Sequence, residues 1–165
     1  MTAKEIIQLL NLQKHPAEGG YFLETYRSKD TFTNKRWGKR SFSTAIYYML
    51  TDEADSFSEM HRLNVDEIFH FYLGDPVEMV HLYPDGTGKQ LLFGNVLNSG
   101  MLPQVLVPGG VWQGARLLPG GKFALMGTTV APGFEYTDYC PGSRKELSAL
   151  YPKFKELITL LTRKS

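Results

Sequence analysis

His61 and Glu67 are the pair of side chains in this sequence whose types and spacing best suit chemistry. They stand in the run Met60-His61-Arg62-Leu63-Asn64-Val65-Asp66-Glu67, which continues to Gly74. An imidazole near the end of one strand and a carboxylate early in the next converge across a short turn. Such a pair is competent for acid–base transfer or for ligating a metal. The same two groups can also do no more than hydrogen-bond each other inside an aromatic β-protein, and spacing alone leaves both readings open. Further on, the Gly-rich turn at 108–111 delivers Gln113 to the start of another strand. No phosphate-cradling loop with a Lys, dinucleotide fingerprint or His-Glu-x-x-His motif is present, so ATP hydrolysis and hydride transfer have no support.

These residues need a scaffold, and the composition says which kind. The chain has 165 residues, 42% hydrophobic and 21% charged, with a net charge of +1. That balance describes one globular domain, residues 1–165, and excludes disorder. It also lacks the basic footprint of a dedicated nucleic-acid binder. Sixteen Gly and nine Pro beside ten Phe and nine Tyr point to many short strands joined by turns. Cys140 is the lone cysteine, which rules out a disulfide or a thiolate cluster within one chain. No secretory-type leader appears, and no run approaches the roughly 18 apolar residues of a membrane span. A cytoplasmic location, with no membrane or nucleic-acid partner, is the expectation.

Local signals set the element order. Thr2 and Glu5 form a capping box ahead of Ile6, Ile7, Leu9 and Leu10 at helical spacing, and His15, Pro16, Gly19 and Gly20 close that segment. A strand is expected at 21–26. The cationic stretch 28–40 is expected to be a solvated loop, a nuclear signal or anion patch being the alternative. Strands follow at 41–50, 57–63, 67–73, 77–83, 89–93, 104–107, 112–117 and 123–130, with Asp85-Gly86 marking a hairpin. Ser143 with Glu146, and then Pro152, start helical segments at the C-terminus. The pattern predicts an antiparallel sandwich or barrel with a helix at each end.

With the Gly-rich turn in place, the sequence resembles the cupin superfamily of double-stranded β-helix, jelly-roll-like barrels. Where the first cupin motif has His-x-His, then Glu, then Gly, this chain has His61, Leu63, Glu67 and Gly74. Where the second has Pro-x-Gly-x-x-His-x-x-x-Asn, it has Pro108, Gly110, Gln113 and Leu117. Two metal-ligating histidines of the family are therefore replaced, by Leu63 and by Gln113. The fuller resemblance is to the Cupin 5 branch, a domain of unknown function, through segments 15–21, 24–28, 61–74, 107–113 and 130–134; Ala17 is inserted between Pro16 and Glu18. The resemblance implies an all-β barrel with short terminal helices and a homodimer. No cofactor is expected. A divalent metal, if one binds, would be left with His61, Glu67 and Gln113, a set in which the amide is a poor transition-metal ligand.

The same resemblance orients the candidate site. Alternation puts Glu67, Phe69 and Phe71 on one strand face and Ile68, His70 and Tyr72 on the other. If Glu67 faces inward, Phe69 and Phe71 line the cavity, and Gln113 inward puts Trp112 and Arg116 outward. Of Tyr47 and Tyr48 one points in, the sequence not saying which; Tyr47 is carried as a candidate. An aromatic cavity with a few polar groups suits a small ligand, a nucleotide or nucleotide-sugar. Metal-free sugar-nucleotide epimerases of cupin type use an inward His as base, which assigns that role to His61 and, by default, the acid to Tyr136 or Tyr47. Arg27, beside Ser28 at a strand end, suits a phosphate or carboxylate at the barrel mouth, a surface ion pair being its alternative.

Overall fold

Runs of β-branched and aromatic residues broken by Gly, Pro and Asp turns become strands throughout the computed structural model, which describes residues 1–163. Helix α1 (Ala3–Leu9) precedes β1 (Gln13–Lys14), β2 (Tyr21–Arg27), β3 (Thr31–Asn34), β4 (Gly38–Ser41), β5 (Thr44–Thr51) and β6 (Ser58–Arg62). Then come β7 (Asp66–Gly74), β8 (Val77–Leu82), β9 (Gly88–Phe93), β10 (Gln104–Val107), β11 (Trp112–Leu117), β12 (Phe123–Ala131) and β13 (Cys140–Pro141). Helices α2 (Arg144–Leu150) and α3 (Lys155–Leu160) close the chain. The all-β expectation holds, with the α-helices of the described residues near the two ends.

One sheet has the order β1-β2-β5-β12-β7-β10 and the other β13-β6-β11-β8-β9. Their inner faces bury Tyr48, Phe69, Val77, Met79, Phe93 and Met126 between them. Helices cover part of each outer face. Ile6 of α1 packs on Met49 and Leu125, while Leu147, Ile158 and Leu161 pack on Met60, Val80 and Leu82. Strand β8 is therefore buried along its whole length, with alternate residues feeding two different cores. The capping box that starts α1 is present, Thr2 N–H donating to Glu5 and Glu5 N–H to the Thr2 hydroxyl. Among the described residues no helix is long and apolar enough to cross a membrane.

Segment 28–40 departs from the expected solvated loop. It folds as the hairpin β3–β4, with Phe32 opposite Arg40. Arg40 is buried because its guanidinium is fully engaged: NH1 and NH2 donate to the two Asp138 carboxylate oxygens at 2.7 and 2.8 Å, and NH1 also to the Gly133 carbonyl at 3.0 Å. A matched bidentate partner is what makes burial of the charge tolerable. Lys29, Lys35, Arg36 and Lys39 remain exposed.

His81 has a sharper consequence for stability. It lies on the inner face of β8, paired in register with Gln113 and Lys89, is 0% exposed, and neither ring nitrogen has a hydrogen-bond partner. Burial, assisted by the Lys89 charge, pushes its pKa down to about 4. Between pH 6.5 and 4 the unfolded chain takes up a proton that the folded chain refuses, so His81 destabilises the protein as pH falls through that window, by at most about 1.4 kcal/mol per pH unit. Urea unfolding at pH 7.5, 6 and 5 is expected to show a shallower acid loss for His81→Leu than for the parent; identical slopes would contradict this.

Candidate functional site

The turn between β6 and β7 brings His61 and Glu67 to one end of the barrel, and Gln113, the register partner of His61 on β11, reaches across to them. Gln113 Nε2 donates to Glu67 Oε2 at 2.7 Å. His61 Nδ1 lies 2.7 Å from the Glu59 carbonyl. A carbonyl only accepts, so Nδ1 carries the proton and Nε2 of the neutral ring is a bare acceptor. That Nε2 is buried without a partner, 3.7 Å from Glu18 Oε1. Tyr139 stacks on the His61 ring at 5.2 Å between centroids.

Glu18 arrives from the loop between β1 and β2. His15 Nδ1 accepts the backbone N–H groups of Glu18 at 2.9 Å and Ala17 at 3.3 Å, which leaves its proton on Nε2, 3.9 Å from Glu18 Oε1. Gly19 turns the chain with a φ of +97°, and a Cβ there would sit 2.4 Å from the Phe57 carbonyl. Only glycine fits that left-handed, crowded position. The Gly19 carbonyl accepts from the Tyr48 hydroxyl at 3.0 Å, and the Glu18 carbonyl from Glu59 N–H at 2.9 Å. The loop is thereby pinned with its carboxyl inside the barrel.

Four ionisable groups in this space change one another. Burial first, then the Glu18 charge, raises the Glu67 pKa to about 7, against the opposing pull of His61 and of hydrogen bonds from Gln113 and Thr128. Burial also raises Glu18, and it lowers both His15 and His61. Glu67 is thereby the carboxyl of this set that exchanges its proton near neutral pH.

Three of the four, His15, Glu18 and Glu67, border a cavity of about 160 Å³. His15, Glu18 and Glu67 form its floor, Phe22, Ile46, Leu63, Thr128 and Val130 its walls, and Glu24, Arg27, Phe134, Glu135 and Tyr136 its more exposed rim. Glu67 lines the cavity directly, while His61 and Gln113 stand behind Glu18 and Glu67. Phe69 and Phe71 share the Glu67 face, but they lie deeper, where the sheets close, and pack on Phe93 at 6.1 and 5.5 Å between centroids. They are core residues and not cavity lining. Tyr48 is the inward member of its pair. Tyr47 faces the outer side of the sheet and meets Tyr72 edge-on at 6.1 Å, so it does not reach the cavity.

Arg27 is at the mouth, but its guanidinium is not free. It bonds both oxygens of Glu24 at 3.0 and 2.9 Å, Glu135 at 3.0 Å and the Phe134 carbonyl at 3.1 Å. It ties two rim carboxylates together. Tyr136, 59% exposed, stands on the rim beside Phe134. His70, Trp112 and Arg116 turn away from the cavity, to Thr129, Arg62 and Glu78 respectively. His15 and Glu18 do not stand out as site residues in the sequence, where their run reads as a helix stop. The available signal was an acid held next to two consecutive glycines.

The donor set does not match a cupin metal centre. Leu63 offers no donor atom, and the Gln113 amide nitrogen is turned to Glu67. Among the described residues no three His, Cys, Asp or Glu side chains are placed to hold a metal ion.

The comparisons with known proteins agree with this architecture. An uncharacterized protein of Saccharomyces cerevisiae, YML079W, is 36% identical over 151 residues, covering 84% of this chain and 74% of its own. A hypothetical protein from Leishmania major superposes with a TM-score of 0.90 at 30% identity, covering 99% of this chain and 100% of that one. Protein SO0799 from Shewanella oneidensis gives 0.88 at 32% identity, covering 100% and 99%. A dTDP sugar isomerase from Desulfovibrio desulfuricans G20, with a TM-score of 0.52 at 16% identity over 80% of each chain, shares the fold alone. Residues 4–140 match the family described as Cupin superfamily (DUF985), and the chain belongs to that family.

Proposed function

We propose that this cupin binds a small polar molecule in the barrel mouth, with one ring of the ligand inside the cavity. The observation that carries this reading is a space of about 160 Å³, open at the rim, whose floor is built from buried Glu67 and partly buried His15 and Glu18. A cavity of about 150 Å³ accepts a benzene-sized ring, so a whole nucleotide does not fit. A nucleotide-sugar would place its sugar ring inside and the remainder across Phe134 and Tyr136. A thermal-shift screen of nucleotides, nucleotide-sugars, sugar phosphates and free sugars is expected to give concentration-dependent stabilisation by ring-bearing members, because a ligand that binds only the folded state raises Tm. No stabilisation by any of them would count against the reading.

A second reading is favoured by the His61 tautomer. A bare, buried Nε2 beside an acidic group is the arrangement of a general base, and an isomerase- or epimerase-like proton abstraction would use it. The fold likeness to a dTDP sugar isomerase is compatible with that chemistry but does not transfer it.

A further inference from the structure

The floor of the cavity has more acceptors than donors. His61 spends its one N–H on the Glu59 carbonyl and turns a lone pair toward Glu18 Oε1 at 3.7 Å. With Glu18 ionised these are two acceptors facing each other, unsatisfied unless a donor comes between them or the carboxyl takes up the proton that its burial favours. Glu67 presents a second carboxyl to the same space, and the His15 Nε2–H, 3.9 Å from Glu18, is too far to hydrogen-bond it. The rim does not redress the balance. Glu24 and Glu135 add two more carboxylates, and the Arg27 guanidinium is already consumed by both.

We propose that the cavity selects a ring that presents two adjacent hydrogen-bond donors and brings no negative charge inside the barrel. One donor would reach Glu18, and the other would reach Glu67. His61 stands behind this lining and offers it no donor: its Nε2, on a side chain only 1% exposed, is unpartnered and lies 3.7 Å from Glu18 Oε1. Vicinal hydroxyls of a sugar and the amidine-like edge of a nitrogen heterocycle both supply this pattern. Phosphate and carboxylate groups supply only acceptors and meet four glutamates. A phosphorylated ligand therefore keeps its anionic part outside the rim.

The inference rests on the cavity being a ligand site, and matched probes separate the two. Benzamidine and benzoate share ring and shape but exchange donors for acceptors; methyl glucoside and methyl glucuronide share their ring hydroxyls and differ by a carboxylate in place of the C6 hydroxymethyl. Each is titrated into the full chain at pH 7.5 while the methyl NMR signals of Ile46, Leu63 and Val130 and the ring signals of His61 are followed. At least one donor-bearing member is expected to bind at least tenfold more tightly than its anionic counterpart, and which pair responds tells a heterocycle edge from a diol. Glu18→Gln, which replaces an acceptor by a group that also donates, is expected to reduce that preference to less than threefold. Equal or tighter binding of the anions would overturn the donor rule and leave the ligand site standing. Silence of these signals toward all four probes would contradict both.

Discussion

Replacing Arg40 by Ala is expected to destabilise the protein by about 3–5 kcal/mol, enough to threaten folding altogether. The cost is not the lost attraction alone. Asp138 is 2% exposed and would be left as a buried carboxylate without its cation. It also accepts from Glu135 N–H at 3.0 Å, so the segment carrying Glu135 and Tyr136 to the cavity rim depends on the same carboxylate. Removing both charges in the double variant Arg40→Met with Asp138→Leu is expected to cost less than Arg40→Ala, because nothing charged then remains buried. Urea unfolding at pH 7 measures both. A loss below about 1 kcal/mol for Arg40→Ala would show that the pair is solvated and contributes as little as a surface ion pair.

The second large effect concerns chemistry. If His61 is a base, the wild-type protein is expected to wash deuterium from heavy water into the carbon beside the carbonyl of a bound keto-sugar nucleotide. His61 Nε2 takes the carbon-bound proton, an enolate forms, and reprotonation from exchanged solvent returns the ketone. His61→Ala is expected to slow that exchange by about 10²–10⁴-fold, the usual weight of a positioned base. His61 is packed between Tyr139 and the Glu59 carbonyl, so His61→Gln, which keeps a polar side chain in the space, serves as the folded control. An unchanged exchange rate in either folded variant would remove His61 as the base and leave only the binding reading.

Most strands were legible because their alternation and turn residues act locally. The expected strands at 104–107 and 112–117 coincide with β10 and β11, where Pro108, Gly109 and Gly110 leave the chain little choice. The limits are physical. Period-2 alternation says that Tyr47 and Tyr48 point opposite ways but carries no sign, and the sign came from Tyr48 reaching the Gly19 carbonyl. It also says nothing about depth, which is why Phe69 and Phe71 could share a face with Glu67 and still belong to the core. For Arg27 the sequence leaves an anion contact and a surface ion pair both open, and strict alternation, which puts Glu24 on the opposite face, conceals the partner that settles it. A bulge between Glu24 and Tyr26 shifts the register and brings the two side chains together. Arg40 read as solvated because its partner is Asp138, 98 residues away. Glu18 was hidden for a similar reason: its role depends on a loop folded over the barrel end by contacts to Phe57, Tyr48 and Glu59, none of them local.

Whether a ligand binds in the space above Glu67 and Glu18 is decided by mapping the best-stabilising compound from the thermal-shift screen onto the protein by methyl and imidazole NMR. The expected result is saturable shifts confined to Ile46, Leu63, Val130, His15 and His61, abolished in Glu67→Ala while the Val80 and Leu82 signals of the core under α2 and α3 stay in place. Shifts confined to that outer core or to the β3–β4 hairpin, or shifts that survive in Glu67→Ala, would contradict binding in that space.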